Sequence, residues 1–228
     1  MTPPFLQDFL SGWIGVELIY SFILILSSLM IYTATNDLER LTSYKGIRYF
    51  RLSFLFFAIA YFFRYSIRLV LFLFNVKEVW EFSPVTMRII LLSIFLYFSS
   101  MAIFFLLYSV MWKKLNSNRL ALAILNILAI GIALTPLLGR SILLPFIINL
   151  TLLAVILYAL FLAYRSSTGG KKSRNLFLLY LLLSIFWILN ITDILIPRLL
   201  NIYKLLIYLI SILLFMLILY RVLKKIGG

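Results

Sequence analysis

The segment from Leu52 to Val76, LSFLFFAIAYFFRYSIRLVLFLFNV, decides the fold. It is apolar over almost its whole length, and its only charged residues are Arg64 and Arg68. An α-helix of ~20 residues crosses the ~30 Å hydrocarbon layer of a bilayer, because each residue adds ~1.5 Å along the axis. The segment is therefore predicted to form a membrane-spanning helix.

The composition extends this interpretation to the whole chain. Of the 228 residues, 64% are hydrophobic and only 12% are charged, whereas soluble domains carry about 25% charged residues. Too few charges remain to cover a surface that faces water, so lipid must contact most of it. We predict an all-α polytopic integral membrane protein in which residues 1–228 form a single transmembrane domain, without a soluble domain.

Two missing residue types exclude much chemistry. The chain contains no cysteine and no histidine, which excludes disulfides, thiol nucleophiles, zinc sites built on these residues and imidazole acid–base catalysis. Only seven carboxylates are present to build a metal cage or a pair of catalytic acids. We therefore expect neither an enzyme nor a bound metal or cofactor.

Further stretches of the chain share the length and apolar character of the Leu52–Val76 segment, and short loops with Gly, Pro, Ser or Asn separate them. The seven predicted spans are Gly12–Thr33, Leu52–Val76, Ile89–Trp112, Leu120–Leu138, Ile142–Tyr164, Leu176–Ile196 and Leu199–Tyr220.

Lysines and arginines are distributed unevenly between the loops. They are concentrated in the connections after the first, third and fifth spans and at the C-terminal end, and few of them lie elsewhere. Because short basic loops stay in the cytoplasm, we predict a cell-membrane protein with its N-terminus outside and its C-terminus inside. The net charge of +14 is then a topology signal that also attracts anionic lipid to the cytoplasmic face. A nucleic-acid partner is not expected, because no basic domain stands clear of the membrane.

Arg64 and Arg68 are the first candidates for a functional site. A charged side chain inside a bilayer costs at least ~2.5–3.5 kcal/mol and normally faces the protein interior or a watery cavity. Both arginines fall on one helical stripe with Tyr61, which should turn toward the bundle. Two interpretations stay open: the arginines bind a ligand, or they form a structural ion pair or cap backbone carbonyls.

Glu17 and Asp193 are the acidic residues predicted to lie at a similar depth to Arg68. Asn190 precedes Asp193 by three residues, so their side chains share a helix face. The alternative is that each carboxylate lies at the interface and reaches lipid headgroups. If the side chains converge, they form an outward-facing polar pocket.

Lys204 invites a comparison with microbial rhodopsins, which carry a retinal-binding lysine in the last helix. The comparison fails, because Lys204 lies near the outer end of its span and the third span contains no acidic residue. Lys204 is expected to anchor the helix at the interface or to pair with Asp193. The predicted ligand-binding residues are Arg64, Arg68, Glu17, Asp193, Asn190, Tyr61 and Lys204.

One basic and aromatic stretch carries a family resemblance. The sequence LTSYKGIRYFR at Leu41–Arg51, followed by FLFF at Phe54–Phe57, resembles small uncharacterised archaeal seven-helix membrane proteins. The resemblance covers about the first third of the chain. It implies a seven-helix membrane fold and no particular activity.

Two functional classes fit these residues. In the first, the protein is a sensor or receptor-like module: a small anionic ligand binds in the outward-facing pocket, and helix movement passes to a cytoplasmic or membrane protein partner. In the second, Arg64 and Arg68 line the pathway of a small anion channel or transporter. A ligand-free assembly subunit is a third possibility. Association into a homo-oligomer is compatible with each of them.

Overall fold

The computed structural model describes residues 13–41, 45–76, 84–115, 119–138, 143–166, 171–195 and 201–226, and within these ranges every regular element is an α-helix. The seven helices are α1 (Trp13–Leu41), α2 (Gly46–Val76), α3 (Pro84–Leu115), α4 (Arg119–Leu138), α5 (Leu143–Ser166), α6 (Lys171–Leu195) and α7 (Asn201–Ile226). The all-α prediction is confirmed.

Six of these helices, α1 to α5 and α7, are long and apolar enough to cross a membrane. In α6 the described apolar stretch, Phe177–Thr192, is shorter than the other six. A seventh crossing therefore stays a prediction, while the architecture of a multi-pass helical membrane protein is supported by the other six.

Several helices continue beyond the apolar segments that predicted them. Helix α1 ends at Leu41 instead of Thr33, and its added turns contain Asn36 and Glu39. The hydroxyl group of Thr35 donates a 2.6 Å hydrogen bond to the carbonyl oxygen of Ile31 and so stays within the helix. Hydropathy marks only the apolar segment, whereas backbone hydrogen bonding continues through the polar turns after it, so the helix is longer than the apolar segment.

The helices form a closed ring with one helix outside it. Contacts run from α1 to α2, α3, α5, α6, α7 and back to α1, and α4 packs mainly on the outer side of α3. The share of the apolar span that is buried within the protein is 11% in α4 and 50% in α3. Most of the surface of helix α4 is therefore exposed on the outside of the ring.

Aromatic side chains fill the middle of the ring. Phe54 of α2, Phe186 of α6 and Phe215 of α7 are each fully buried. The ring centroids of Phe186 and Phe215 are 4.7 Å apart, and those of Phe54 and Phe215 are 6.3 Å apart. Such pairs contribute about 0.5–1.5 kcal/mol each beyond the area they bury. We call these three residues the aromatic floor, because the candidate site lies directly above them.

Candidate functional site

Polar side chains from four helices converge at one end of the ring. This upper end is the one at which α1, α3, α5 and α7 begin; the opposite end is the lower end. We call the converging residues the polar cluster. It consists of Glu17 and Tyr20 of α1, Tyr61 and Arg64 of α2, Asn190 of α6, and Tyr208 of α7.

Asn190 is the acceptor at the centre of the cluster. Its carboxamide oxygen Oδ1 accepts a 2.8 Å hydrogen bond from the Tyr61 hydroxyl and a 2.9 Å hydrogen bond from Nη1 of Arg64. Its Nδ2 donates a 3.0 Å hydrogen bond to the carbonyl oxygen of Phe186, one turn earlier in α6. This last bond fixes which way the amide points, so the oxygen faces α2. Arg64 therefore reaches across the interior toward α6.

The guanidinium group of Arg64 also lies among aromatic rings. Its Cζ atom is 5.7 Å from the ring centroid of Tyr61 and 6.0 Å from that of Phe95. Cation–π attraction extends to about 6 Å from the centroid, so both contacts lie near its outer limit. They add modestly to the charge-assisted hydrogen bond on Asn190, which is the stronger contact.

On the other side of the cluster, α1 and α7 are joined by a carboxylate and stacked tyrosines. The hydroxyl of Tyr208 donates a 3.0 Å hydrogen bond to Oε1 of Glu17. The ring of Tyr208 stacks on that of Tyr20 at 4.4 Å with an interplanar angle of 16°. Tyr20 in turn meets Tyr61 edge-to-face at 6.2 Å and 84°. A continuous chain of tyrosines thus connects Glu17 with the Arg64–Asn190 contact.

A small cavity lies between these two halves of the cluster. Its lining includes Glu17, Tyr20, Arg64, Tyr65 and Tyr208, and its volume is about 10 Å³. A cavity needs about 10–15 Å³ by this measure to hold one water molecule. The cavity thus presents a guanidinium and a carboxylate to a space of molecular-water size.

The predicted site residues fall into three groups. Arg64, Glu17, Asn190 and Tyr61 are brought together in the cluster. Lys204 is half-buried and precedes Tyr208 by one turn on α7, so it lies just above the cluster on the same helix face. The side chains of the remaining two predicted residues, Arg68 and Asp193, lie outside the described residues.

The predicted pairing of Arg64 with the Glu17 carboxylate stays a prediction. Arg64 bonds to the neutral amide of Asn190, while Glu17 lines the same cavity and accepts the Tyr208 hydroxyl. Pairing of Asp193 with either Arg64 or Lys204 stays a prediction. Sequence reasoning missed Tyr208 entirely. Its spacing of four residues from Lys204 was a helical signal that could have found it.

Sequence reasoning also missed a role for Arg51, which it treated only as a loop charge. At the lower end, Nη1 of Arg51 donates hydrogen bonds of 2.6 Å to Asn36 Oδ1 and 2.7 Å to Glu39 Oε2. Its Nη2 donates to the hydroxyl of Tyr32 at 3.0 Å, and its Cζ lies 4.4 Å from the centroid of that ring. These contacts hold α1 against α2.

In the part of the chain that the structure describes, no group of acidic side chains could hold a metal ion.

Six helices are long and apolar enough to cross a membrane, and five of them form a ring with α6 around an aromatic core and a charged cluster, which defines a multi-pass α-helical membrane protein. An uncharacterised protein of Archaeoglobus fulgidus is 32% identical to the chain over 237 residues, covering 99% of this chain and 100% of the relative. The chain therefore belongs to the same family as this archaeal protein. No protein-family model matches the chain, and no solved structure matches it.

Proposed function

We propose that the protein is a seven-helix sensor of the cell membrane, with its N-terminus outside. A small ligand with an anionic group binds at the polar cluster and moves the upper ends of the helices. The observation that carries the proposal is the Arg64 guanidinium beside a small cavity, with the buried aromatic floor below the polar cluster. The movement would reach a membrane or cytoplasmic protein partner, or a second copy of the chain, at the lower end.

An anionic group fits the chemistry of Arg64 better than a neutral one. Nη1 of Arg64 donates to the oxygen of an uncharged amide. A carboxylate or phosphate adds the attraction between opposite charges, and it can accept two parallel hydrogen bonds from one guanidinium group. A carboxylate or phosphate oxygen entering the cavity would therefore gain more from Arg64 than Asn190 does. The Glu17 carboxylate on the opposite wall favours a ligand that also carries a hydrogen-bond donor.

The size of the cavity couples binding to helix movement. A space of about 10 Å³ matches one water molecule, so we expect a larger ligand to need movement of α1 or α7 away from α2, the three helices that line the cavity. Below the cluster, α6 is held by a 2.9 Å hydrogen bond from the Tyr180 hydroxyl to the Leu106 carbonyl and a 3.3 Å bond from the Trp187 indole to the Asn149 carbonyl. Ligand binding would therefore select an arrangement in which the upper ends move and the middle of α6 stays in place.

The aromatic floor favours a closed pocket over an open pore. Phe54, Phe186 and Phe215 fill the ring below the cavity and have no exposed surface. An anion passing through the middle of the ring of helices would meet these three buried side chains. This packing supports a sensor more than a channel.

A small anion transporter is the second candidate, and one observation favours it. Helices α1–α3 and α5–α7 make up the two halves of the ring, and α4 joins them from outside. The Arg64–Asn190 hydrogen bond crosses from one half to the other. Substrate sites of transporters built from two repeats lie at such an interface between halves. In this case Arg64 and Arg68 would line the route.

Two assays on purified protein distinguish these functions. The first is thermal unfolding in detergent with a panel of small carboxylates and phosphates, for the wild type, Arg64→Gln and Arg221→Gln. Arg221 is a half-buried arginine at the lower end and serves as the control. For the sensor, one anion should stabilise the wild type and Arg221→Gln by about 2.7 kcal/mol at a hundredfold excess over its dissociation constant, but not Arg64→Gln.

The second assay measures anion flux into liposomes that contain the same three proteins. A sensor should give no flux above empty liposomes. Flux that depends on Arg64 would refute the sensor proposal and support the transporter. If no anion stabilises the wild type and no flux appears, Arg64 has a structural role and both proposals are wrong.

A further inference from the structure

A groove on the outside of the ring, at the lower end, has the properties of a lipid site. Helices α2 and α4 both pack against α3, on either side of it, and the groove runs between them. Its walls and floor include Arg48, Leu52, Met101, Phe105, Arg119 and Leu122, and its volume is about 490 Å³. Binding sites for small molecules enclose about 300–1,000 Å³. The groove is thus large enough for a substantial part of a lipid, unlike the cavity at Arg64.

The charge of the groove changes along its length. Arg48 belongs to the first turn of α2 and Arg119 begins α4, so both arginines lie at the lower end. Both are exposed, and they are the only charged residues among those that the structure describes along the groove. Two guanidinium groups facing one space favour an anion with several oxygens, since each can donate a pair of parallel hydrogen bonds to phosphate.

Above the arginines the groove becomes apolar. Leu52 follows Arg48 by one turn on α2, and Leu122 follows Arg119 by about one turn on α4. Met101 and Phe105, one turn apart on α3, are buried and form the floor. A charged mouth that leads into an apolar trough along the helices matches an amphiphile whose headgroup stays at the membrane surface.

We propose that this groove binds an anionic membrane phospholipid, with its phosphate between Arg48 and Arg119 and one hydrocarbon chain lying over Met101 and Phe105. Tyr49 lines the groove next to Arg48, where the polar glycerol region of the lipid would lie, and Asn126 lines it two turns above Arg119, at the far end of the trough. The hydroxyl of Tyr97 donates a 3.2 Å hydrogen bond to Oδ1 of Asn126, which joins α3 to α4 beside the groove. A lipid there would therefore also stabilise the packing of α4, which has little other contact with the ring. This inference is independent of the function proposed for Arg64.

The test is a lipid titration of the purified protein followed by native mass spectrometry. The probes are phosphatidylglycerol and phosphatidylcholine with identical chains. The wild type should retain one phosphatidylglycerol molecule more tightly than any phosphatidylcholine. Each basic residue near a membrane surface contributes about a fivefold gain in affinity for anionic lipid, so the double variant Arg48→Gln/Arg119→Gln should bind roughly 30-fold more weakly.

Two further variants separate the groove from general surface charge. Arg40→Gln/Lys224→Gln removes two exposed charges at the lower end outside the groove, and its affinity should stay close to that of the wild type. Leu122→Trp fills the trough and leaves both arginines in place; it should weaken phosphatidylglycerol binding without changing the net charge. Helical circular dichroism and gel filtration verify that each variant is folded.

Several outcomes would overturn the proposal. Equal retention of the two lipids by the wild type would mean that the groove holds only non-specific lipid. Displacement of the lipid by inorganic phosphate alone would mean that the arginines form a site for free phosphate. Equal weakening in the groove double variant and in the Arg40/Lys224 variant would mean that overall charge, and not this groove, attracts the lipid. The first two measurements use the wild type alone, so they remain decisive even if a variant does not fold.

Discussion

Replacing Asn190 with leucine tests the central contact of the polar cluster most directly. The substitution removes the oxygen that accepts hydrogen bonds from Tyr61 and Arg64 and keeps a side chain of similar size. Hydrogen bonds between membrane helices contribute about 0.6 kcal/mol on average and up to ~1.7 kcal/mol. Because two such bonds are lost and one donor is charged, we expect Asn190→Leu to lower the free energy of unfolding by about 1–3 kcal/mol.

The measurement is equilibrium unfolding of the detergent-solubilised protein at increasing sodium dodecyl sulfate. Tyr61→Phe serves as the matched control, since it removes one of the two donors and leaves the ring contacts with Tyr20 and Phe186 in place. It should cost about half as much or less. A double-mutant cycle with Arg64→Met then measures the interaction energy between Arg64 and Asn190. Arg64→Met should lower the free energy of unfolding of the wild type by at least about 0.5 kcal/mol more than it lowers that of Asn190→Leu.

Two results would refute this reasoning. An Asn190→Leu protein as stable as the wild type would mean that the hydrogen bonds on Asn190 contribute nothing to the fold. A coupling near zero between Arg64 and Asn190 would mean that the guanidinium finds its main partner elsewhere.

Three other changes give independent checks. The chain contains no native cysteine, so single cysteines can report the orientation. In intact cells, a cysteine placed at Ser117 should be shielded from an impermeant thiol reagent, while one placed at Ser83 should react. The reverse pattern would contradict the predicted orientation. Arg51→Gln should lower the free energy of unfolding by about 1 kcal/mol, because it breaks the hydrogen bonds between α1 and α2 at a partly exposed site. The control Arg40→Gln, on the exposed end of α1, should change this free energy by less than about 0.5 kcal/mol. Tyr208→Phe removes the hydroxyl that bonds to the α1 carboxylate but keeps the stacked ring. We expect the free energy of unfolding to fall by about 0.5–1.5 kcal/mol in the same assay. No change would show that this hydrogen bond does not stabilise the packing of α1 on α7.

Much of the candidate site was accessible from helical periodicity. Tyr61 and Arg64 are three residues apart, and this spacing correctly predicts that their side chains share a face. Both donate to the same atom of Asn190. The contact with Asn190 was harder to predict, because charge alone ranks Glu17 and Asp193 above a neutral amide. Which acceptor comes within 3 Å depends on how α2 and α6 are placed across the ring.

Other contacts could not be predicted from residue type. From the sequence alone, Arg51 is only one of the basic residues that predict which loops are cytoplasmic. Hydropathy identifies apolar segments and gives no information about polar contacts at their ends. Helix α1 continues to Leu41 and carries Asn36 and Glu39 to within hydrogen-bonding distance of Arg51. The groove beside Arg48 could not be predicted from the sequence either. It forms because α2 and α4 pack on either side of α3.

The sequence by itself determined that the chain is all-helical and belongs in a membrane, because a backbone in hydrocarbon must satisfy its own hydrogen bonds and because 64% of the residues are hydrophobic. It also predicts that Arg64 and Arg68 lie inside the apolar layer. Only the tertiary structure decided the order of helices in the ring, the outer position of α4 and the meeting of Arg64 with Asn190. The physical reason is that lipid chains are as apolar as leucine, so hydrophobicity does not distinguish the lipid-facing side of a helix from the side that packs in the bundle. Helix neighbours are chosen by the fit of side chains such as Phe54, Phe186 and Phe215, which becomes defined only when the helices are assembled.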